Sequence, residues 1–161
     1  MDFQPTAEEQ RIQRAAERLA ENEFAADAFT WEDEFPHENA ETLAEQGLLG
    51  IALPTEYGGG GGSAVEGLLV QEAVGRVCPD TAHILFRSLM GAPRDTGALV
   101  SDSLKERFLP PVCAGDLVLS VAISARGAGA AAGGLRTCAP GVGDSAVSTG
   151  RRRSVVKWVA A

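Results

Sequence analysis

The segment whose composition could support chemistry lies near the carboxyl end of the sequence, where residues 121–137 read VAISARGAGAAAGGLRT. A strand-like stretch runs there into glycines at Gly127, Gly129 and Gly133. Glycines placed after a strand let backbone N–H groups approach a phosphate, as in the dinucleotide-binding turn of a Rossmann unit. One interpretation is therefore a Rossmann-like nucleotide binder. Against it, a long helical pattern precedes the strand, and no second strand ends in an acidic residue about 20 positions further on.

The overall composition indicates a folded protein with an acidic surface. The chain has 161 residues, of which 45% are hydrophobic, and its net charge is −8. This length suits one domain with a modest core. Binding to nucleic acid or to an anionic membrane requires clustered Lys and Arg, so the charge argues against both partners.

Metal ligands and disulfide pairs are scarce in the sequence. Cysteines occur only at Cys78, Cys113 and Cys138, without a Cys-x-x-Cys pair, and His37 and His83 are the only histidines. Metal sites need clustered ligands, so we predict no metal site and expect reduced, idle thiols. The acidic start of the chain does not resemble a signal peptide, and no apolar run reaches the ~18 residues of a membrane span. Together these features predict a cytoplasmic protein.

Helical periodicity dominates the sequence up to about residue 115. Capping boxes, in which a Ser or Thr is followed three residues later by Glu, begin two of the helices at Thr6 and Ser63. Gly47 is expected to cap the end of another helix, and the pair Pro110–Pro111 is expected to close the last one. The pattern predicts helices over residues 6–28, 38–46, 63–78, 80–91 and 101–108.

Further details of the helical region follow from the same pattern. Asp80 is expected to cap the helix that follows Pro79. The five glycines of residues 58–62 predict a flexible loop. The helix that begins at Ser63 is expected to present one apolar face, made by Val65, Leu68, Leu69, Ala73 and Val77.

The character of the sequence changes near Gly115. Residues 117–124 (LVLSVAIS) have the length and β-branched content of a strand, and no strong helix follows them. We therefore expect a helical domain over residues 1–115 and a β-type domain over residues 116–161.

Several separated blocks of the sequence, taken in order, resemble the acyl-CoA dehydrogenase family. They are residues 54–62 (PTEYGGGGG), 72–82 (EAVGRVCPDTA), 104–116 (LKERFLPPVCAGD), 121–137 and, more weakly, 143–152 (GDSAVSTGRR). The resemblance covers residues 1 to about 152. It implies a mainly α fold, in which an all-helical N-terminal domain is followed by an incomplete middle β domain.

The resemblance implies a truncated flavoprotein. Members of the family bind FAD, oxidise an acyl-CoA thioester between its α and β carbons, and pass electrons to an electron-transfer flavoprotein. The flavin supplies the redox chemistry, while the protein supplies a base and the position of the substrate. The glutamate base lies in the C-terminal part of most members, so no residue of this chain is expected to be the catalytic base. Little activity is expected from this chain alone.

The family resemblance also assigns candidate residues for the cofactor. Val121, Ile123 and the hydroxyl of Ser124 correspond to residues that contact the flavin ring. Gly129 and Ala130 correspond to a Gly-Ser pair near the flavin pyrophosphate and the CoA portion of the substrate.

This segment departs from the family pattern A-[ILV]-[TS]-E-P-x-A-G-S-D. Ala125 and Arg126 stand in place of Glu and Pro, Ala130 in place of Ser, and Ala131 in place of Asp. Each lost hydrogen bond to a charged group would cost roughly 1–3 kcal/mol of binding free energy. The departures predict weakened FAD binding.

Candidate substrate residues come from the same resemblance. Leu89 and Met90 fall where family members approach the acyl chain, and ordinary core packing is the alternative. Glu56 and Glu72 lie in recognisable blocks and are expected to be structural. Trp158 stands four residues after the position of a family tryptophan beside the flavin, as a displaced counterpart or by chance.

A second hypothesis is a non-catalytic helical module. Such a module would bind acyl-CoA, or would pair with a full-length relative or with a second copy of itself. A β domain that ends early leaves open strand edges, which predicts disorder or aggregation beyond Gly115.

Overall fold

The computed structural model describes residues 4–31, 35–122, 124–125, 134, 136, 138, 141–142 and 145–146. The chain divides into two compact units between Leu119 and Ser120. The first unit is helical, and the described part of the second contains an antiparallel pair of short strands, β1 (Gly141–Val142) and β2 (Ser145–Ala146). The predicted mainly α fold is confirmed. The predicted domain boundary near Gly115 stays a prediction.

The described helices of the first unit are α1 (Ala7–Leu19), α2 (His37–Glu45), α3 (Ala64–Gly75), α4 (Pro79–Met90), α5 (Ala92–Leu99) and α6 (Asp102–Cys113). A π-helical turn, Ala20–Phe24, continues α1, and a 3-10 turn, Thr55–Tyr57, follows α2. Helices α3 to α6 pack each on the next, α1 packs on α3, and α2 packs on α4.

Both predicted capping boxes are present. The Thr6 hydroxyl accepts a hydrogen bond from the Glu9 amide, and the Glu9 carboxylate accepts one from the Thr6 amide at 2.6 Å. The same pair of bonds joins Ser63 to Glu66 at the start of α3. Each box satisfies backbone donors that the first turn leaves without a partner, which is why the sequence places these helix starts correctly.

A buried polar network links α2 to α4 inside the apolar core. The Asn39 Nδ2 donates to Thr81 Oγ1 at 2.7 Å, and Cys78 Sγ lies 3.0 Å from the same oxygen. Buried polar groups cost little when they are paired, so this network fixes the relative position of the two helices. The largest fully buried apolar side chains around it are Phe24, Leu43, Val70, Val74 and Leu85.

The predicted apolar face of α3 is wrong in part. Val65 and Leu68 are 52% and 51% exposed, whereas Gly67 and Val70 are buried. Apolar residues occur all around this helix, so periodicity alone does not identify the buried side. The buried side of α3 is the one that carries Gly67, where the helix approaches α4 so closely that a Cβ would lie 2.7 Å from Leu89 Cδ2.

Proline positions explain three further corrections. Pro79 is the first residue of α4 and Cys78 holds the N-cap position, so Asp80 does not cap this helix. Helix α5 is absent from the prediction, although Pro93 in its first turn is a typical helix-start signal. Pro110 and Pro111 lie inside α6 and do not end it. Their fixed φ suits a helix, and the burial of neighbouring residues on α6 outweighs the two lost N–H donors.

The end of the first helix and the segment that follows α6 also differ from the prediction. The first helix ends at Phe24, four residues before the predicted end at Ala28. The predicted strand is not formed in residues 117–122 or at residue 124. Leu117 donates its amide to the Pro111 carbonyl at 3.1 Å, and Leu117 and Leu119 pack on a small cluster with Val112. The apolar residues that suggested a strand are therefore used against α6.

The five-glycine segment is an ordered loop, not the flexible one that was predicted. The amides of Gly60, Gly61 and Gly62 donate to backbone carbonyls of residues 50, 53 and 51, at 3.0, 2.8 and 2.8 Å. A Cβ at Gly59 would overlap the Leu53 carbonyl oxygen. Glycine is required there for close backbone approach.

Replacement of Gly59 by alanine is expected to destabilise the helical unit by about 1–3 kcal/mol, because the loop would have to move off the residue 50–53 segment. Gly97→Ala is the matched control. It lies inside α5 with 3.9 Å to the nearest side-chain atom, so it is expected to stabilise by about 0.5–1 kcal/mol. Urea unfolding followed by circular dichroism measures both changes. Equal free energies of unfolding for Gly59→Ala and the unmodified chain would contradict the ordered loop.

Candidate functional site

A hollow of about 180 Å³ lies where the glycine loop meets α3, α4 and α5. Its volume far exceeds the roughly 10–15 Å³ that one water molecule needs. Leu68 and Leu89 supply its larger apolar side chains, and Arg94 is the one charged residue that lines it in the part of the chain that the structure describes. The full set of lining residues is Ala52, Gly62, Ala64, Leu68, Leu89 and Arg94.

The walls of the hollow are set by backbone contacts. Gly62 is held by its hydrogen bond to the Ile51 carbonyl, and the capping box at Ser63 begins α3 directly after it. On the other side, Gly91 forms the corner between α4 and α5, where a Cβ would lie 2.6 Å from the Arg87 carbonyl oxygen. This tight corner brings Arg94, in the first turn of α5, beside Leu89 at the end of α4.

The two residues predicted to approach a substrate have different outcomes. Leu89 is 6% exposed, packs against Gly67 and lines the hollow. The side chain of Met90 lies outside the described part of the structure. A role of either residue in substrate binding stays a prediction. Arg94 was missed because the helix that carries it was not predicted, and Pro93 was the available signal for that helix.

A second, smaller cavity of about 20 Å³ lies between the helices and residues 117–119. Its lining is apolar apart from Arg87 and Ser88. The Ser88 hydroxyl donates to the Leu49 carbonyl at 2.6 Å. Burial lowers the pKa of Arg87 below its ordinary value. This cavity has room for about one water molecule and not for an organic ligand.

The predicted cofactor residues are only partly described. Val121 is 38% exposed and Ser124 is also exposed, and neither belongs to a strand. Ile123, Gly129 and Ala130 lie outside the described residues. A role of these residues in flavin binding stays a prediction.

The glutamates of the family-like blocks are placed on the surface. Glu72 is about half exposed and pairs with Arg76 at 2.6 Å, and Glu56 is exposed in the 3-10 turn. A general base needs to reach a bound substrate, and neither carboxylate lines the hollow.

The cysteines show no sign of reactive chemistry in the first unit. Cys78 and Cys113 are buried, and Cys138 is exposed. Burial raises the pKa of the Cys113 thiol, which keeps it protonated and unreactive near neutral pH. Among the described residues no group of three His, Cys, Asp or Glu is placed to hold a metal ion. Within that same part of the chain, no helix combines the length and apolar character needed to cross a membrane.

Comparison with known proteins places this helical arrangement in a family. The model of the acyl-CoA dehydrogenase N-terminal domain matches residues 6–116. The acryloyl-CoA reductase (NADH) of Anaerotignum propionicum is 34% identical over 141 residues, which are 86% of this chain and 36% of that protein. The chain therefore spans about a third of the length of this relative.

Solved structures agree with the sequence comparison. The glutaryl-CoA dehydrogenase of Mycobacterium smegmatis has a TM-score of 0.79 and 29% identity, over 91% of this chain and 38% of that one. An acyl-CoA dehydrogenase of Bacillus anthracis in complex with FAD has a TM-score of 0.82 over 94% of this chain and 27% of that one. Its 24% identity supports the shared fold alone. With its helical fold and a family model that matches most of its length, the chain belongs to the acyl-CoA dehydrogenase family.

Proposed function

We propose that this chain binds the acyl end of an acyl-CoA thioester in the hollow beside Leu89. The observation that supports the proposal is the hollow itself, which is lined by Leu68 and Leu89 and by Gly62 at the end of the ordered glycine loop. Each methylene group moved from water to such a wall contributes about 0.8 kcal/mol. The family resemblance assigns the acyl chain to this same part of the fold.

The names of the relatives do not agree on one acyl group. Acryloyl-CoA, in the name of the reductase, has a short uncharged acyl group, whereas glutaryl-CoA, in the name of the dehydrogenase, ends in a carboxylate. The two names also describe opposite directions of reaction, reduction and dehydrogenation. The proposal is therefore limited to recognition of an acyl-CoA thioester.

We further propose that the chain alone does not catalyse the redox reaction of the family. Among the described residues that line the hollow, the one charged side chain is that of Arg94, a cation, which cannot remove a proton from the α carbon. Of the predicted flavin contacts, the described Val121 and Ser124 are exposed and belong to no strand. Pairing with a full-length relative or with an electron-transfer flavoprotein stays a prediction from the family resemblance.

Leu68→Ala is expected to weaken the binding of hexanoyl-CoA at least about fourfold, because it removes apolar wall from the hollow. The matched control is Val65→Ala, which is equally exposed on the same helix but does not line the hollow. Isothermal titration calorimetry measures both affinities. An unmodified chain that does not bind hexanoyl-CoA, or two variants with equal affinity, would contradict the proposed acyl site.

Purified chain that is incubated with excess FAD and then desalted is expected to retain no flavin. It is also expected not to reduce an electron-accepting dye when an acyl-CoA is added. The visible spectrum and the rate of dye bleaching measure the two properties. Retained flavin together with acyl-CoA-dependent dye reduction would show that the chain is a working enzyme by itself.

A further inference from the structure

We draw no further inference here: the strongest candidate, the groove between α3 and α4 that Leu68, Gln71 and Phe86 line, rests on exposed apolar side chains, and nothing in the structure shows what covers them.

Discussion

The candidate site depends on the hydrogen bonds that hold the glycine loop onto the segment before it. Three successive glycine amides, from Gly60 to Gly62, donate to the backbone of residues 50–53. Such bonds require two backbone segments to approach more closely than side chains allow, and a Cβ at Gly59 would collide with Leu53. The loop then leads at Gly62 into the capping box that begins α3, so its position also sets the position of that helix.

The packing of α3 on α4 also depends on a glycine that allows close approach. Gly67 leaves room on α3 for the Leu89 side chain of α4, and Leu89 also lines the hollow. The buried pair Asn39 and Thr81 holds the other side of α4 against α2. Leu89 is thus a core residue and a wall of the hollow at once, and its two predicted roles do not exclude each other.

The sequence predicted those features that local chemistry determines. Capping boxes specify a helix start through bonds between residues three apart, and both were found where Thr6 and Ser63 predicted them. Features that depend on distant parts of the chain were not predicted. The order of the glycine loop comes from residues 50–53, and the buried side of α3 comes from Leu89. The strand predicted over residues 117–124 is not formed in its described part, where Leu117 and Leu119 pack on a cluster with Val112 of α6 instead.

The candidate site was predictable only in part for the same reason. Leu89 was identified from the family resemblance, whereas Arg94 emerged only once α5 and the Gly91 corner had been seen. Three of the predicted flavin contacts, Ile123, Gly129 and Ala130, lie outside the described residues and stay predictions.

The hydrogen bonds of the glycine loop hold Gly62 in the wall of the hollow. Amide hydrogen exchange of Gly60, Gly61 and Gly62, followed by NMR in the unliganded chain, tests this arrangement most directly. All three amides are expected to exchange much more slowly than in an unstructured chain, because each donates to a backbone carbonyl. Exchange of the three glycine amides at the unstructured rate would show that the loop is open and that the hollow lacks this wall.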